Sequence, residues 1–189
     1  MYNIVMHRYI SPKDSLRIEK AVNFLVLKYS ESGRNPKPVV LHSLRVGIYL
    51  LELGYDMDTI IVAILHDLIE DSDVKISDIK NEFGDNVAMW IDAVSFKPEI
   101  DDPTEQYKEM FTRTFAGGKI PVMVKAADLY ANSFYYKLVS NHQKQKILIE
   151  KMFYFLEKAN LFSSEPVIIE LRDRYQEEKN RFTCLYNKK

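Results

Sequence analysis

The pair His66-Asp67 is the part of this sequence with the clearest capacity for chemistry. It follows an uninterrupted apolar run, residues 60–65, and two further acids, Glu70 and Asp71, come soon after it. An apolar run without a polar face is typical of a helix that is buried on all sides. Because an unpaired buried carboxylate is costly, the pair predicts a bound partner. A divalent cation is a partner that satisfies imidazole and carboxylate together.

Two other apolar segments each contain a single side chain that could bind a metal. His42 lies within residues 39–46, and Asp128 lies within residues 122–129. Taken alone, His42 could be an ordinary core histidine, and Asp128 could be an i, i+3 partner of Lys125, a pairing worth a few tenths of a kcal/mol. Together with the His-Asp pair, however, they give three predicted helices that each present a metal ligand in an apolar setting. This pattern predicts one shared metal site.

The chemistry of such a site follows from its ligands. Two imidazoles and two carboxylates leave coordination positions open for water and a phosphate oxygen, which suits one hard divalent cation such as Mn²⁺. Glu70 and Asp71 each follow a member of the His-Asp pair at a spacing of four, so a continuous helix would carry all four side chains on one face. The two acids could then take a proton from water and donate one to a leaving group. The alternative is a solvated helix end, although the helix dipole disfavours acids there.

The elements that must position these residues are predicted to be helices throughout. The 189 residues are 47% hydrophobic, contain only six Gly and seven Pro, and show no alternating strand pattern. These features predict an all-α fold, a single compact helical bundle of about nine helices. We expect one domain over residues 1–189, with a motif-bearing core at 34–139 and C-terminal helices at 141–183 packed on it.

Composition also limits the classes of partner. A formal net charge of −1 argues against nonspecific binding to nucleic acid. The single cysteine, Cys184, excludes a cysteine-based zinc site. No apolar run approaches the ~20 residues needed to cross a bilayer, and the N-terminus does not resemble a signal peptide. These features predict a cytoplasmic protein with a small-molecule partner and no membrane partner, and they indicate no particular oligomeric state.

The order His42, His66-Asp67, Asp128 resembles the ligand pattern of the HD superfamily of metal-dependent phosphohydrolases, helical domains in which four such residues bind a divalent cation. Residues 66–71 are similar to the His-Asp-x-x-Glu-Asp motif of the RelA/SpoT-type hydrolase domains, which remove the 3′-pyrophosphate of the alarmone (p)ppGpp. Residues 76–87 and 124–132 are similar to further segments of that family. Dinuclear HD phosphodiesterases have additional histidines between Asp67 and Asp128, and this chain has none there. The resemblance therefore implies one metal ion.

The resemblance, which covers about residues 34–132, also implies substrate contacts. Lys97 matches a lysine that follows the corresponding helix in the alarmone hydrolases and could bind a phosphate, and Asn132 matches a polar residue near the ribose and the metal. Arg34 and Lys37 lie in the loop where the family holds basic residues against guanine, but that loop is shorter here. We therefore expect a weaker preference for guanine. For each basic residue, plain solvation is the alternative.

The sequence thus predicts a metal-dependent phosphohydrolase that acts on a nucleotide, with (p)ppGpp and its 3′-pyrophosphate as the main candidate. One alternative is an HD nucleotidase or pyrophosphohydrolase with another nucleotide substrate, because the base-recognition loop departs from the family pattern. A second alternative is a nucleotide-binding regulator without turnover. The complete ligand set and the presence of both Glu70 and Asp71 argue against the regulator.

Overall fold

The computed structural model describes residues 10–33 and 38–186, and all statements about structure concern these residues. They form helices, with no strand among them. The all-α prediction is confirmed. The α-helices are α1 Pro12–Ser32, α2 Val39–Glu52, α3 Met57–Leu65, α4 Leu68–Asp71, α5 Ile76–Phe83, α6 Asp85–Val94, α7 Pro103–Ala116, α8 Lys119–Ser133, α9 His142–Lys158 and α10 Pro166–Tyr186. Short 3₁₀ turns at Tyr136–Leu138 and Ala159–Phe162 complete the helical structure of the described residues.

The beginnings and ends of several helices follow directly from local sequence. The Ser11 hydroxyl caps α1 by accepting a hydrogen bond from the amide of Asp14, and Pro12 takes the first helical position. Gly33 ends the same helix at φ 63°, a left-handed conformation that favours glycine. Asp56 caps α3 through the amide of Thr59. These local signals fix where each helix enters the bundle.

The short helix α3 is the centre of the bundle. Residues 60–65 are all buried, as expected for an apolar run without a polar face. This helix contacts α1, α2, α6 and α8, so apolar surfaces surround it. Because the helix is enclosed from Thr59 to its end, the two residues that follow it are delivered into the interior of the protein.

The expected continuous helix through His66 and Asp71 is wrong in detail. α3 ends at Leu65, His66 and Asp67 form a turn, and α4 begins at Leu68. The turn keeps the i→i+4 bond from the Asp71 amide to the Asp67 carbonyl. The interruption explains why the described residues form ten α-helices where about nine were expected, and it separates the His-Asp pair from the acids that follow.

The two last helices cover the side of the bundle formed by α7 and α8. α9 contacts α7, and α10 contacts both α8 and α9. Apolar side chains of α9 and α10, including Phe155, Ile168 and Leu171, are fully buried. No helix among the described residues is long and apolar enough to cross a membrane.

Candidate metal centre

Three helices that pack against one another carry the predicted ligands. His42 lies in the first turn of α2, His66 directly follows α3, and Asp128 lies in the second half of α8. Each pair of these helices is in contact. One potential ligand atom from each of the three residues lies within 4.8 Å of the others. The structure therefore brings together residues that are far apart in sequence, and the three could hold a metal ion.

Asp67 lies beside the same two imidazoles. Its Oδ1 is 3.1 Å from Nε2 of His66, and its Oδ2 is 3.7 Å from Nε2 of His42. Asp128 directs a single oxygen, Oδ1, toward both rings, at 3.1 Å from His42 and 3.6 Å from His66. We refer to His42, His66, Asp67 and Asp128 together as the candidate metal centre, or metal centre for short.

The hydrogen bonding of His66 shows what this arrangement requires. Its Nδ1 donates to the carbonyl oxygen of Ala63 at 2.7 Å. Its Nε2 is buried without a hydrogen-bond partner, although carboxylate oxygens of Asp67 and Asp128 lie close to it. A neutral imidazole that donates from Nδ1 presents a lone pair at Nε2. A lone pair and two carboxylates pointing at one another repel unless a positive charge, either a proton on Nε2 or a bound cation, lies among them.

The electrostatics of the ligands give the same result. Burial disfavours the charged form of His66, yet the carboxylates of Asp67 and Asp128 raise its pKa to about 10. Burial also opposes ionisation of Asp67, but His66 holds the pKa of that carboxyl below its ordinary value. The site thus attracts positive charge strongly. Two imidazole nitrogens with carboxylate oxygens are a donor set that suits a divalent transition metal, so the residues fit the cation that the sequence implies.

Asp128 has partners on both of its oxygens. Oδ2 lies 2.9 Å from Nζ of Lys125, the ion pair expected at a spacing of three, and both residues are almost fully buried. Oδ1 faces the imidazoles and also accepts a hydrogen bond of 2.6 Å from the amide of Asn132. Burial alone would raise the pKa of Asp128, but Lys125 and the histidines hold it well below its ordinary value. Asp128 can therefore pair with Lys125 and face the metal site at the same time, because a different oxygen makes each contact.

Glu70 lies on α4, one turn beyond His66, and a loop fixes its orientation. The amide of Phe96 donates to its Oε1 at 2.8 Å. Burial raises the pKa of Glu70 above its ordinary value, with Asp67 and Asp128 adding to the effect and Lys125 opposing it. A carboxyl with a raised pKa takes up a proton more readily than an ordinary one, which suits a role in proton transfer.

Asp71 ends α4 with a partly buried side chain. Tyr29, which could not be identified from the sequence, is among the residues that its charge affects. The hydroxyl of Tyr29, on α1, is buried without a hydrogen-bond partner. Burial raises the pKa of Tyr29, and the acids Asp67, Asp71 and Glu70 raise it further, so the phenol stays neutral beside them. An aromatic residue on the buried side of an amphipathic helix gives no sequence signal for this placement.

Of the four residues predicted to contact the substrate, two lie among the described residues. Lys97 follows Phe96 in the loop of residues 95–102, and its Nζ lies 3.6 Å from an oxygen of Glu109. Asn132 is exposed and bound to Asp128 at the rim of the metal centre. Arg34 and Lys37 lie outside the described residues. The predicted roles of these four residues stay predictions.

Gly47 is a further residue that the sequence analysis did not identify. It lies buried on α2, where an added Cβ would approach Cγ1 of Ile64 to 2.8 Å, closer than carbon atoms pack. The glycine therefore allows α2 and α3 to approach closely enough to place His42 beside His66, whose rings are 5.3 Å apart. A glycine inside a helix costs about 1 kcal/mol relative to alanine. A glycine in the middle of an apolar helix was therefore the sign in the sequence that this position has a packing role.

Comparisons with known proteins agree with this arrangement. The family model described as HD domain matches residues 21–116, just over half of the chain. The guanosine-3′,5′-bis(diphosphate) 3′-pyrophosphohydrolase of Aquifex aeolicus is 30% identical over 166 residues, which are 86% of this chain and 24% of that protein. A probable GTP pyrophosphokinase of Mycobacterium leprae is 33% identical over 94 residues, 49% of this chain and 12% of that protein. The chain thus spans a quarter or less of the length of these two relatives.

A solved structure gives the same fold. It is that of a metazoan orthologue of SpoT, described as hydrolysing ppGpp and acting in starvation responses. The TM-score is 0.73 at 16% identity, over 90% of this chain and 97% of that one. The likeness establishes the fold. Together with the match to the family model and the geometry of the metal centre, it leads to one conclusion: this chain belongs to the HD domain family.

Proposed function

We propose that this chain is a metal-dependent phosphohydrolase that removes the 3′-pyrophosphate of (p)ppGpp. The observation that carries the proposal is the cluster of His42, His66 and Asp128, followed one turn later by the half-buried acid Glu70, which the Phe96 amide orients. The activity named for the Aquifex aeolicus relative supports the choice of substrate. Hydrolysis of a nucleotide also fits the cytoplasmic location expected from the sequence.

In this proposal, four residues hold one divalent cation: His42, His66, Asp67 and Asp128. We choose Mn²⁺ because imidazole and carboxylate ligands together suit it. When bound, the cation supplies Lewis acidity, which acidifies water and offsets the charge of a phosphate. Lys125 and Asn132 orient the carboxylate of Asp128 from opposite sides, so this ligand needs little reorganisation when the cation binds.

The reaction adds water across the bond between O3′ of the ribose and phosphorus. The water oxygen bonds to phosphorus, the O3′–phosphorus bond breaks, and one proton passes from water to O3′. We assign the two proton transfers to Glu70 and Asp71, one acid accepting and the other donating. The bond from the Phe96 amide to Oε1 of Glu70 leaves Oε2 for this exchange, and the raised pKa of Glu70 suits it.

The remaining predicted residues would bind the substrate. Asn132, at the rim of the metal centre, lies where a ribose hydroxyl could reach its amide. Lys97 lies next to Phe96, the residue that orients Glu70, so a phosphate at the reacting position would be near its ammonium. Arg34 and Lys37 would contact the base from the shortened loop, which favours weaker discrimination between guanine and adenine.

The decisive experiment is product analysis. Purified protein with Mn²⁺ would be incubated with ppGpp, pppGpp, ppApp and simple nucleoside mono- and triphosphates, with the Glu70→Gln variant as the matched control. We expect ppGpp to give GDP and pyrophosphate, identified by mass spectrometry, and ppApp to be cleaved as well. Cleavage of 5′ phosphates alone would reject the alarmone assignment and leave a phosphohydrolase for another nucleotide. Tight binding of ppGpp without any product would indicate a regulator instead.

A further inference from the structure

One partly buried lysine has no role in the proposed mechanism. Lys151 lies on α9, and its side chain is partly buried against two aromatic rings. Its Nζ is 4.9 Å from the centroid of the Phe96 ring and 5.9 Å from that of Phe111. An ammonium over aromatic faces keeps its charge at some cost in hydration.

Lys151 differs from its neighbour Lys125, which approaches the same Phe96 ring at 5.5 Å. Lys125 is neutralised by Asp128 at 2.9 Å. Among the described residues, by contrast, Lys151 has no carboxylate oxygen within 4.0 Å. The ring of Phe96 therefore borders two ammonium groups, of which one is paired and the other has no anion of its own.

The surroundings of Lys151 connect it to the metal centre. Burial lowers the pKa of Lys151 to about 8, and the charge of Lys125 contributes. The carboxylates of Asp128, Glu70 and Asp67 act in the opposite direction, so they lie within electrostatic reach. Phe96 contacts both residues, because its amide donates to Glu70 while its ring borders Lys151. The ammonium thus borders the residue whose amide orients Glu70.

The charge balance of the site favours a further positive charge where a diphosphate binds. Its acids, Asp67, Glu70, Asp71 and Asp128, carry four negative charges when all are ionised. Lys125 and one divalent cation offset three of them. A diphosphate that entered such a site would meet excess negative charge, and a further cation is needed to make its approach favourable. Lys151 is a residue that can supply that charge without being bound to a carboxylate already.

We propose that Lys151 forms a phosphate-binding subsite for a diphosphate group, receiving the phosphoryl unit that is not at the reacting position. The inference rests on the proposed function, because it names the part of the substrate that this side chain recognises. An ammonium has three donors and turns freely, which suits a terminal phosphate that differs in orientation before and after cleavage. The aromatic walls exclude water and so strengthen the contact.

A purely structural lysine would behave differently from a binding lysine. An ammonium that is held among aromatic rings without a counter-ion opposes folding. Replacing it by methionine, which is similar in length and apolar, should therefore leave the unfolding midpoint unchanged or raise it. If the lysine instead stabilised the contact between α9 and the rest of the bundle, the same replacement would lower the midpoint.

The test uses inorganic pyrophosphate as the probe. Its affinity for the Mn²⁺-loaded full chain would be measured by isothermal titration calorimetry for wild type, Lys151→Met and Lys151→Gln. The matched control is Lys146→Met, an exposed lysine on the same helix that pairs with Glu150. We expect both Lys151 variants to bind pyrophosphate about 10-fold or more weakly, as for the loss of a charged hydrogen bond. The control should bind it as wild type does.

Equal pyrophosphate affinity in wild type and a folded Lys151 variant would overturn the inference, as would a wild type that does not bind pyrophosphate. A lowered unfolding midpoint with unchanged affinity would show a structural lysine. Failure of this inference can be distinguished from failure of the proposed function. If wild type does not cleave ppGpp but loses pyrophosphate binding on replacement of Lys151, the subsite stands and the substrate is another diphosphate.

Discussion

The metal centre and the loop of residues 95–102 lie beside each other but are held in different ways. Each ligand in the metal centre is fixed by at least one buried neighbour, such as the Ala63 carbonyl for His66 or Lys125 for Asp128. Lys97 in the loop has a side chain that is 42% exposed, and its ion pair with Glu109 is open to solvent. A buried polar group must have a partner, whereas an exposed one can exchange its partner for water. The first region therefore has one geometry, and the second can adapt to a ligand.

The strongest test of the metal centre is to remove one of its ligands. We expect His42→Ala to weaken Mn²⁺ binding by more than about 100-fold, because the loss of residues that only orient a ligand already costs 10- to 100-fold. Turnover should fall to background, and chelation of the metal from wild type should have the same effect. Binding would be followed by calorimetry and turnover by product analysis.

The matched control is His142→Ala, which removes an exposed histidine on α9. It should bind Mn²⁺ as wild type does. Metal binding by His42→Ala at wild-type affinity would show that the cluster is held together by its own ion pairs and not by a cation.

A change of about 10²-fold is expected from the acids that follow the metal centre. Glu70→Gln and Asp71→Asn should each lower turnover to this extent, the usual scale for a general acid or base. Affinity for Mn²⁺ should stay close to that of wild type, because neither acid is among the four ligands. Turnover would be measured at saturating substrate, with the surface variant Glu150→Gln as control. Unchanged turnover in both variants would mean that neither acid takes part in proton transfer.

The packing that supports the rigid region can be tested through Gly47. We expect Gly47→Val to lower the free energy of unfolding by about 1–3 kcal/mol, the usual cost of overpacking, since its Cβ would meet Ile64. Urea denaturation would measure this change. Ile48→Ala, at the next and exposed position of α2, should change the stability by about 0.5 kcal/mol or less. A Gly47 variant as stable as wild type would show that α2 and α3 can separate without cost.

The smallest effect on activity is expected from a change in the loop of residues 95–102. Lys97→Met should raise KM for the substrate up to about 5-fold, with kcat unchanged, because an exposed charge contributes about 0–1 kcal/mol. Glu109→Gln removes the same ion pair but leaves the lysine in place. If Lys97 contacts the substrate, only the first variant raises KM, whereas equal effects would assign the change to the ion pair.

The same contrast explains what the sequence could predict. Residues 60–65 have no polar face, so their burial and the delivery of His66 and Asp67 into the interior could be inferred from composition alone. Capping residues such as Ser11 and Asp56 encode the start of a helix within a few positions. The grouping of His42, His66 and Asp128 could be proposed because each is a polar residue in an apolar segment.

Features that depend on contacts between distant segments could not be inferred. The turn that separates α3 from α4 has no glycine or proline to mark it. The bond from the Phe96 amide to Glu70 joins residues 26 positions apart through a backbone group, which every residue has. Lys151 is one of many lysines in the sequence, and only the fold places it between Phe96 and Phe111.

The close approach at Gly47 also has a consequence for how this protein can vary. Position 47 on α2 and position 64 on α3 share one small volume, which at present holds a hydrogen atom on one side and an isoleucine on the other. A larger residue at 47 is tolerable only when the residue at 64 becomes smaller by a similar volume. Among related sequences, the sizes of these two side chains should therefore vary inversely, and a double-mutant cycle between them should show strong coupling.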